Sequence, residues 1–264
     1  MANRIEKQLS LLKEKNEKAF ITYITAGLPN MEATKQIIRA QVGSTDIIEL
    51  GIPFSDPIAD GPVIQTASYE AIQNGASLKK TFALMEELRA EGIEQPIVFM
   101  MYYNAVVNYG IEAFVDKCRK TGVDGLIIPD LPLEEQDDLK AALEGDDTTI
   151  LIQLVSPVSA DRIPEILDGA RGFVYCVSSM GVTGQAADFH KEVINYLSSV
   201  KAIAKIPVMM GFGIRQAADV APMKDIIDGA IVGSYFINLM RENDFKPEAA
   251  KEYASRFKKE LNSL

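Results

Sequence analysis

Eight short, nearly continuous apolar runs recur along the 264-residue chain at intervals of roughly thirty residues, each followed by a stretch of helical periodicity. They occupy positions 19–25, 46–50, 96–101, 125–129, 149–154, 172–177, 207–211 and 229–232. Strands without polar alternation are covered on both faces, the pattern of a parallel sheet wrapped in helices. Helical patterns lie at 31–40 behind an Asn30 cap, 78–90 behind Ser77, and at 112–120, 134–143, 160–167, 189–204, 216–223 and 247–261. An amphipathic helix within residues 1–16 precedes them. The pattern predicts an α/β fold, a (β/α)8 TIM barrel with an extra N-terminal helix, because closure removes both sheet edges; an open doubly wound sheet is the alternative. The length admits one barrel or two small domains, and the absence of a linker or composition break favours a single domain over 1–264.

Charge and composition then narrow the function classes. The net charge of -10 opposes binding to nucleic acid or to an anionic membrane surface, so a phosphorylated ligand would have to be held locally by helix N-termini and backbone amides. His190 is the sole histidine, which excludes a conventional Ser-His-Asp triad and a His-based metal site, and no metal is expected. Cys118 and Cys176 read as buried small hydrophobes. No run approaches the roughly 18 apolar residues of a membrane span, and the N-terminus is charged, so a cytoplasmic location is expected.

In a barrel of this kind the chemistry sits where strands end. Glu49 falls inside the apolar second run, on one face with Ile47 and opposite Ile48, so it points either into the barrel or into the helix layer. An inward carboxylate among Ile and Leu is desolvated and can carry a proton near neutrality; the competing reading is a structural ion pair with a helix Lys or Arg. Eleven positions on, Asp60 reaches the same mouth, with Asp56 as its competitor and an Asx turn as the bland reading for both. Small-residue loops follow three later runs: Ser178 to Gly184, Gly211-Phe212-Gly213-Ile214, and Gly233-Ser234 before a helical run beginning near Tyr235. Together they suit a phosphate site that includes a short helix after the eighth strand. No lysine stands at an apolar strand end, since Lys201 and Lys205 belong to the preceding helix and its exit; this weighs against a Schiff-base aldolase.

The run from Glu49 to Pro62, ELGIPFSDPIADGP, followed by Ile64-Gln65, resembles the signature of tryptophan synthase α chains. So do Phe20 to Gly27, Met101-Tyr102-Tyr103-Asn104, Gly122-Val123-Asp124-Gly125, Pro129-Asp130-Leu131-Pro132, Gly181-Val182-Thr183-Gly184 and Gly211 to Ile214, in order along nearly the whole chain. The resemblance implies a lyase that splits indole-3-glycerol phosphate into indole and glyceraldehyde 3-phosphate. It implies Glu49 as acid–base catalyst and Asp60 as the carboxylate on the indole N–H, with Tyr175 packed beside Glu49. Tyr23, Ile64, Tyr102, Ile127 and Phe212 would wall the substrate, with Gly211 also against it; Gly184, Gly213, Gly233 and Ser234 would surround its phosphate, and Thr183 would meet Asp60 on closure. The loop from Pro53 to Gly61, with Asp56, would face a β subunit in an α2β2 tetramer. Pyridoxal phosphate would belong to that partner, and no cofactor to this chain.

The sequence also departs from the family. Tyr23 stands where Phe is frequent, Ser179 where some members have Arg, the loop after Gly184 is short, and 41–45 departs from the usual small, Ala-rich stretch. Two rivals stay open: another phosphate-binding barrel enzyme such as a sugar-phosphate isomerase, and a regulatory subunit that has lost catalysis.

Overall fold

A computed structural model describes residues 3–145, 147–177, 186–211 and 213–264, with backbone alone for 186–190. Its strands are β1 (Ala19–Thr25), β2 (Ile47–Gly51), β3 (Ile97–Met100), β4 (Gly125–Ile127), β5 (Ile150–Leu151), β6 (Gln153–Val155), β7 (Val174–Cys176), β8 (Val208–Met210) and β9 (Gly229–Val232). All pair in parallel, in the order β5-β4-β3-β2-β1-β9-β8-β7-β6. The predicted fifth strand is thus two strands, separated by Ile152, whose N–H donates to the Leu126 carbonyl at 2.9 Å. Its first half pairs with β4 and its second with β7, so one run of chain joins the two ends of the sheet into a barrel.

Alternation along the strands sorts side chains into two apolar layers. Ile21, Ile47, Val98, Ile150, Met209 and Ile231 fill the interior, while Ile48, Leu50, Ile97 and Phe99 face the helices. Helix α1 (Arg4–Glu14) closes one end of the interior with Ile5, Leu9 and Leu12. Its cap residue, Asn3, accepts from the Ile5 N–H at 2.8 Å and donates to the carbonyls of Asp124 and Thr148 at 2.8 and 2.7 Å. The outer layer comprises α2 (Met31–Gln41), α3 (Pro62–Gln73), α4 (Leu78–Ala90), α5 (Tyr103–Tyr109), α6 (Ile111–Thr121), α7 (Asp137–Leu143), α8 (Ile163–Leu167), α9 (Ala186–Ile203), α10 (Ser234–Glu242) and α11 (Pro247–Leu261). Asn30 and Ser77 cap α2 and α4, accepting from Ala33 and Lys80.

Two helices go beyond the sequence reading. Helix α3 buries only Ala67, Ser68 and Ala71, so it shows no stripe of large apolar residues, and α5 buries Val106 alone. Two predicted helices are tighter: 3₁₀ turns span Pro157–Arg162, ahead of α8, and Ala217–Met223, where Pro222 has no N–H to donate. Cys118 and Cys176 are both buried and form no disulfide.

Beneath β4 a buried charge ties three elements together. Asp124, with 0% exposure, accepts from Arg4 at 3.0 Å, from Arg89 at 2.7 Å and from the Ile97 N–H at 2.8 Å. Replacing it by alanine leaves the Arg89 guanidinium with backbone carbonyls and no carboxylate partner, and we expect a loss of about 3–5 kcal/mol, measured by urea unfolding. A change below about 1 kcal/mol would show that this network does not hold α1 and α4 to the barrel.

Candidate active site

Glu49 sits on β2 between Tyr23 of β1 and Val98 of β3, and it faces the barrel interior. The carboxylate is 1% exposed, and neither oxygen has a hydrogen-bond partner among the described residues. Burial pushes its pKa up to about 8, the negative charge of Asp60 adds to the rise, and the Tyr175 hydroxyl pulls the other way. An acid at this position therefore holds its proton at neutrality. No Lys or Arg meets it among the described residues, so the ion-pair alternative does not apply.

Asp60 approaches from the loop between β2 and α3. Its Oδ2 accepts from the Tyr102 hydroxyl at 3.0 Å, and the same hydroxyl accepts from the Ala59 N–H at 3.0 Å, so one tyrosine fixes both backbone and side chain. Phe54 stacks on that ring at 5.1 Å, and Ser68 of α3 bonds the Phe54 N–H and carbonyl at 2.8 and 3.0 Å. Burial raises the Asp60 pKa to about 6, against the lowering effect of the Tyr102 bond. Asp56 is exposed and its carboxylate accepts from the adjacent Ser55 hydroxyl at 2.5 Å. Pro53 is half-buried and Ile58 is 84% exposed on the same loop.

A cavity of about 520 Å³ opens above Glu49. Tyr23, Ile64, Tyr175, Gly211, Gly213, Gly233 and Ser234 all line it, so most of the expected site converges. Ile127 lines a second cavity of about 500 Å³, which shares Met100 and Tyr175 with the first and includes Ala59 beside Asp60. Thr183, Gly184 and Phe212, together with the Ser179 departure, lie outside the described residues.

The glycines divide into two kinds. A Cβ on Gly211 would stand 2.4 Å from the Tyr175 ring, so this glycine makes room for a neighbour within the protein. Gly213 has φ +67° and open space around it, and Gly233 precedes the free N-terminus of α10, whose cap has no side-chain bond. These two, with the exposed Ser234, offer backbone N–H groups and a hydroxyl to an anion. Met100 and Arg215 also line the cavity and were not expected there. Both sit at or just past strand ends, the positions the barrel rule flags, but methionine reads as core and arginine as a solvated surface residue.

Together these features define a parallel-barrel enzyme with a proton-carrying carboxylate in its mouth and an anion-binding edge beside it. The chain matches the family model of the tryptophan synthase alpha chain over residues 9–263. It is 62% identical to the tryptophan synthase alpha chain of Lachnospira eligens over 99% of this chain and 100% of that one. With the Alkaliphilus metalliredigens alpha chain it shares 44% identity, covering 99% and 97%. The crystal structure of tryptophan synthase subunit alpha from Legionella pneumophila superposes with a TM-score of 0.90 at 33% identity, over 100% of both chains. A chain of the Mycobacterium tuberculosis tryptophan synthase superposes with a TM-score of 0.86 at 31% identity, over 99% of both. The chain belongs to the tryptophan synthase α chain family, and is accordingly an enzyme of tryptophan biosynthesis, a lyase. No helix among the described residues is long and apolar enough to cross a membrane.

Proposed function

We propose that Glu49 and Asp60 divide the chemistry of the family's reaction, the retro-aldol cleavage of indole-3-glycerol phosphate to indole and glyceraldehyde 3-phosphate, a carbon–carbon bond cleavage. The observation that carries this reading is a buried, unpartnered Glu49 whose pKa stands at about 8. Glu49 delivers its proton to indole C3, which leaves a positively charged ring nitrogen. The resulting carboxylate then takes the proton of the hydroxyl on the adjacent arm carbon. As that hydroxyl becomes the aldehyde, the carbon–carbon bond breaks and its electrons return to the ring. Asp60, with a pKa near 6, is charged at neutrality and stabilises the positive charge at the ring N–H. The indole ring itself accepts the electrons, so the step calls for neither a Schiff base nor a cofactor in this chain.

Gly213, Gly233, Ser234 and the N-terminus of α10 hold the phosphate, with Gly184 and Thr183 expected to complete the enclosure and Phe212, Ile64 and Ile127 the walls around the ring. The phosphate supplies remote binding energy that places the arm against Glu49. A substrate lacking it is expected to lose on the order of a hundredfold in kcat/KM, with kcat falling as well as affinity. An unchanged kcat would separate the phosphate from positioning. The loop 53–61, with Pro53, Asp56 and the exposed Ile58, faces a β subunit that carries pyridoxal phosphate, in an α2β2 assembly within the cytoplasm. The test is indole release by the purified chain, alone and with its β subunit. No indole in either condition would end the reading and leave its two rivals, another phosphate-binding barrel enzyme and a regulatory subunit that has lost catalysis.

A further inference from the structure

Tyr23 lies between the catalytic carboxylate and the anion-binding edge. It is the strand neighbour of Glu49, and its Cβ stands 3.6 Å from where a Cβ on Gly233 would lie. The far end of the ring carries its hydroxyl over Gly51, where a Cβ would be 2.1 Å away, so a residue without a side chain keeps that space open. The hydroxyl accepts from Thr25 Oγ1 at 3.4 Å, and its own proton has no acceptor among the described residues. The ring is 5% exposed and packs with Leu28, Ala67, Ala71 and Ile237, surroundings in which an unspent donor is costly. A phenyl ring would fill the same apolar space without an unspent donor, and would cost only the long 3.4 Å bond that the buried Thr25 hydroxyl makes to the oxygen; that bond does not use the Tyr23 proton.

We propose that the Tyr23 hydroxyl is a specificity-determining group that donates its proton to a hydroxyl oxygen on the three-carbon arm of the substrate. The proposal rests on the functional reading above, because it needs the arm to run from Glu49 to the phosphate edge, past Tyr23. It gives the site a means to tell a hydroxylated arm from a bare alkyl one, a discrimination that apolar walls supply poorly. Thr25 keeps the ring oxygen in place as acceptor, and the substrate receives the remaining proton.

The experiment compares the unsubstituted protein with Tyr23→Phe on two ligands. One is indole-3-glycerol phosphate, read as kcat/KM; the other is an indole with an unsubstituted propyl phosphate arm, read as an inhibition constant. Loss of one hydrogen bond should lower kcat/KM about tenfold, while inhibition by the hydroxyl-free ligand stays within twofold. A merely structural tyrosine would move both numbers together. Equal weakening of both, or no change in kcat/KM, would overturn the proposal. If the unsubstituted protein neither turns over the first ligand nor is inhibited by the second, the functional reading fails and takes this inference with it.

Discussion

Glu49→Gln is expected to lower kcat by about a thousandfold while substrate affinity stays within a few fold. The amide fills the same volume inside the barrel but can neither give a proton to a ring carbon nor take one from a hydroxyl. Affinity survives because the phosphate edge and the ring walls are untouched. The same change should make the protein more stable, in a pH-dependent way. In the unfolded chain a glutamate ionises near 4.5, whereas the folded protein holds the Glu49 proton up to about 8. The folded state therefore binds the extra proton between these values, and wild-type stability falls as pH rises from about 4.5 to 8. Glutamine removes that loss, so its advantage should be absent near pH 4, widen through neutrality and reach a few kcal/mol above pH 8. Paired kinetics and denaturant melts check both halves. A variant with normal kcat would remove Glu49 from proton transfer, and a stability gain that does not change with pH would remove the raised pKa.

Asp60→Asn should cost about a hundredfold in kcat/KM, because the amide can still contact the ring N–H but carries no charge to set against it. Its diagnostic is the pH profile. With Asp60 ionising near 6 and Glu49 near 8, kcat/KM of the unsubstituted protein should be greatest between these values, falling below as Asp60 gains a proton and above as Glu49 loses one. Asparagine should abolish the acid limb and keep an alkaline one, moved to lower pH because the Asp60 charge no longer adds to the rise at Glu49. The Tyr102 hydroxyl and its bond to Ala59 keep the loop in place in the variant, so a lost limb reports on charge and not on collapse of the loop. An acid limb that persists unchanged would assign it to some other group.

The barrel was legible in the sequence because parallel strands leave a coarse signal, a near-continuous apolar run repeated eight times. Glu49 was legible for the same reason, as a charge where the run allows none. Which way it points was not, since the alternation of Ile47 and Ile48 is equally apolar on both sides; only the packing of α1 against the Ile47 face identifies the interior. Asp56 and Asp60 could not be told apart, because the difference is a tyrosine 42 positions away on another loop. Helix α3 went unseen because its contact face is built from small residues, and the break at Ile152 depends on which neighbour each half of a strand meets. Gly211 carries two readings that the sequence does not separate: it lines the cavity, as expected, and it also makes way for the Tyr175 ring.

Asn3 bonds to carbonyls at positions 124 and 148, so the segment that stoppers the barrel is made well before its partners and seated late. On the ribosome it must wait, its apolar side uncovered, until more than half of the polypeptide has emerged. That stopper lies at the end away from the substrate, which lets the molecule accumulate changes in how readily it assembles without altering what it does once assembled.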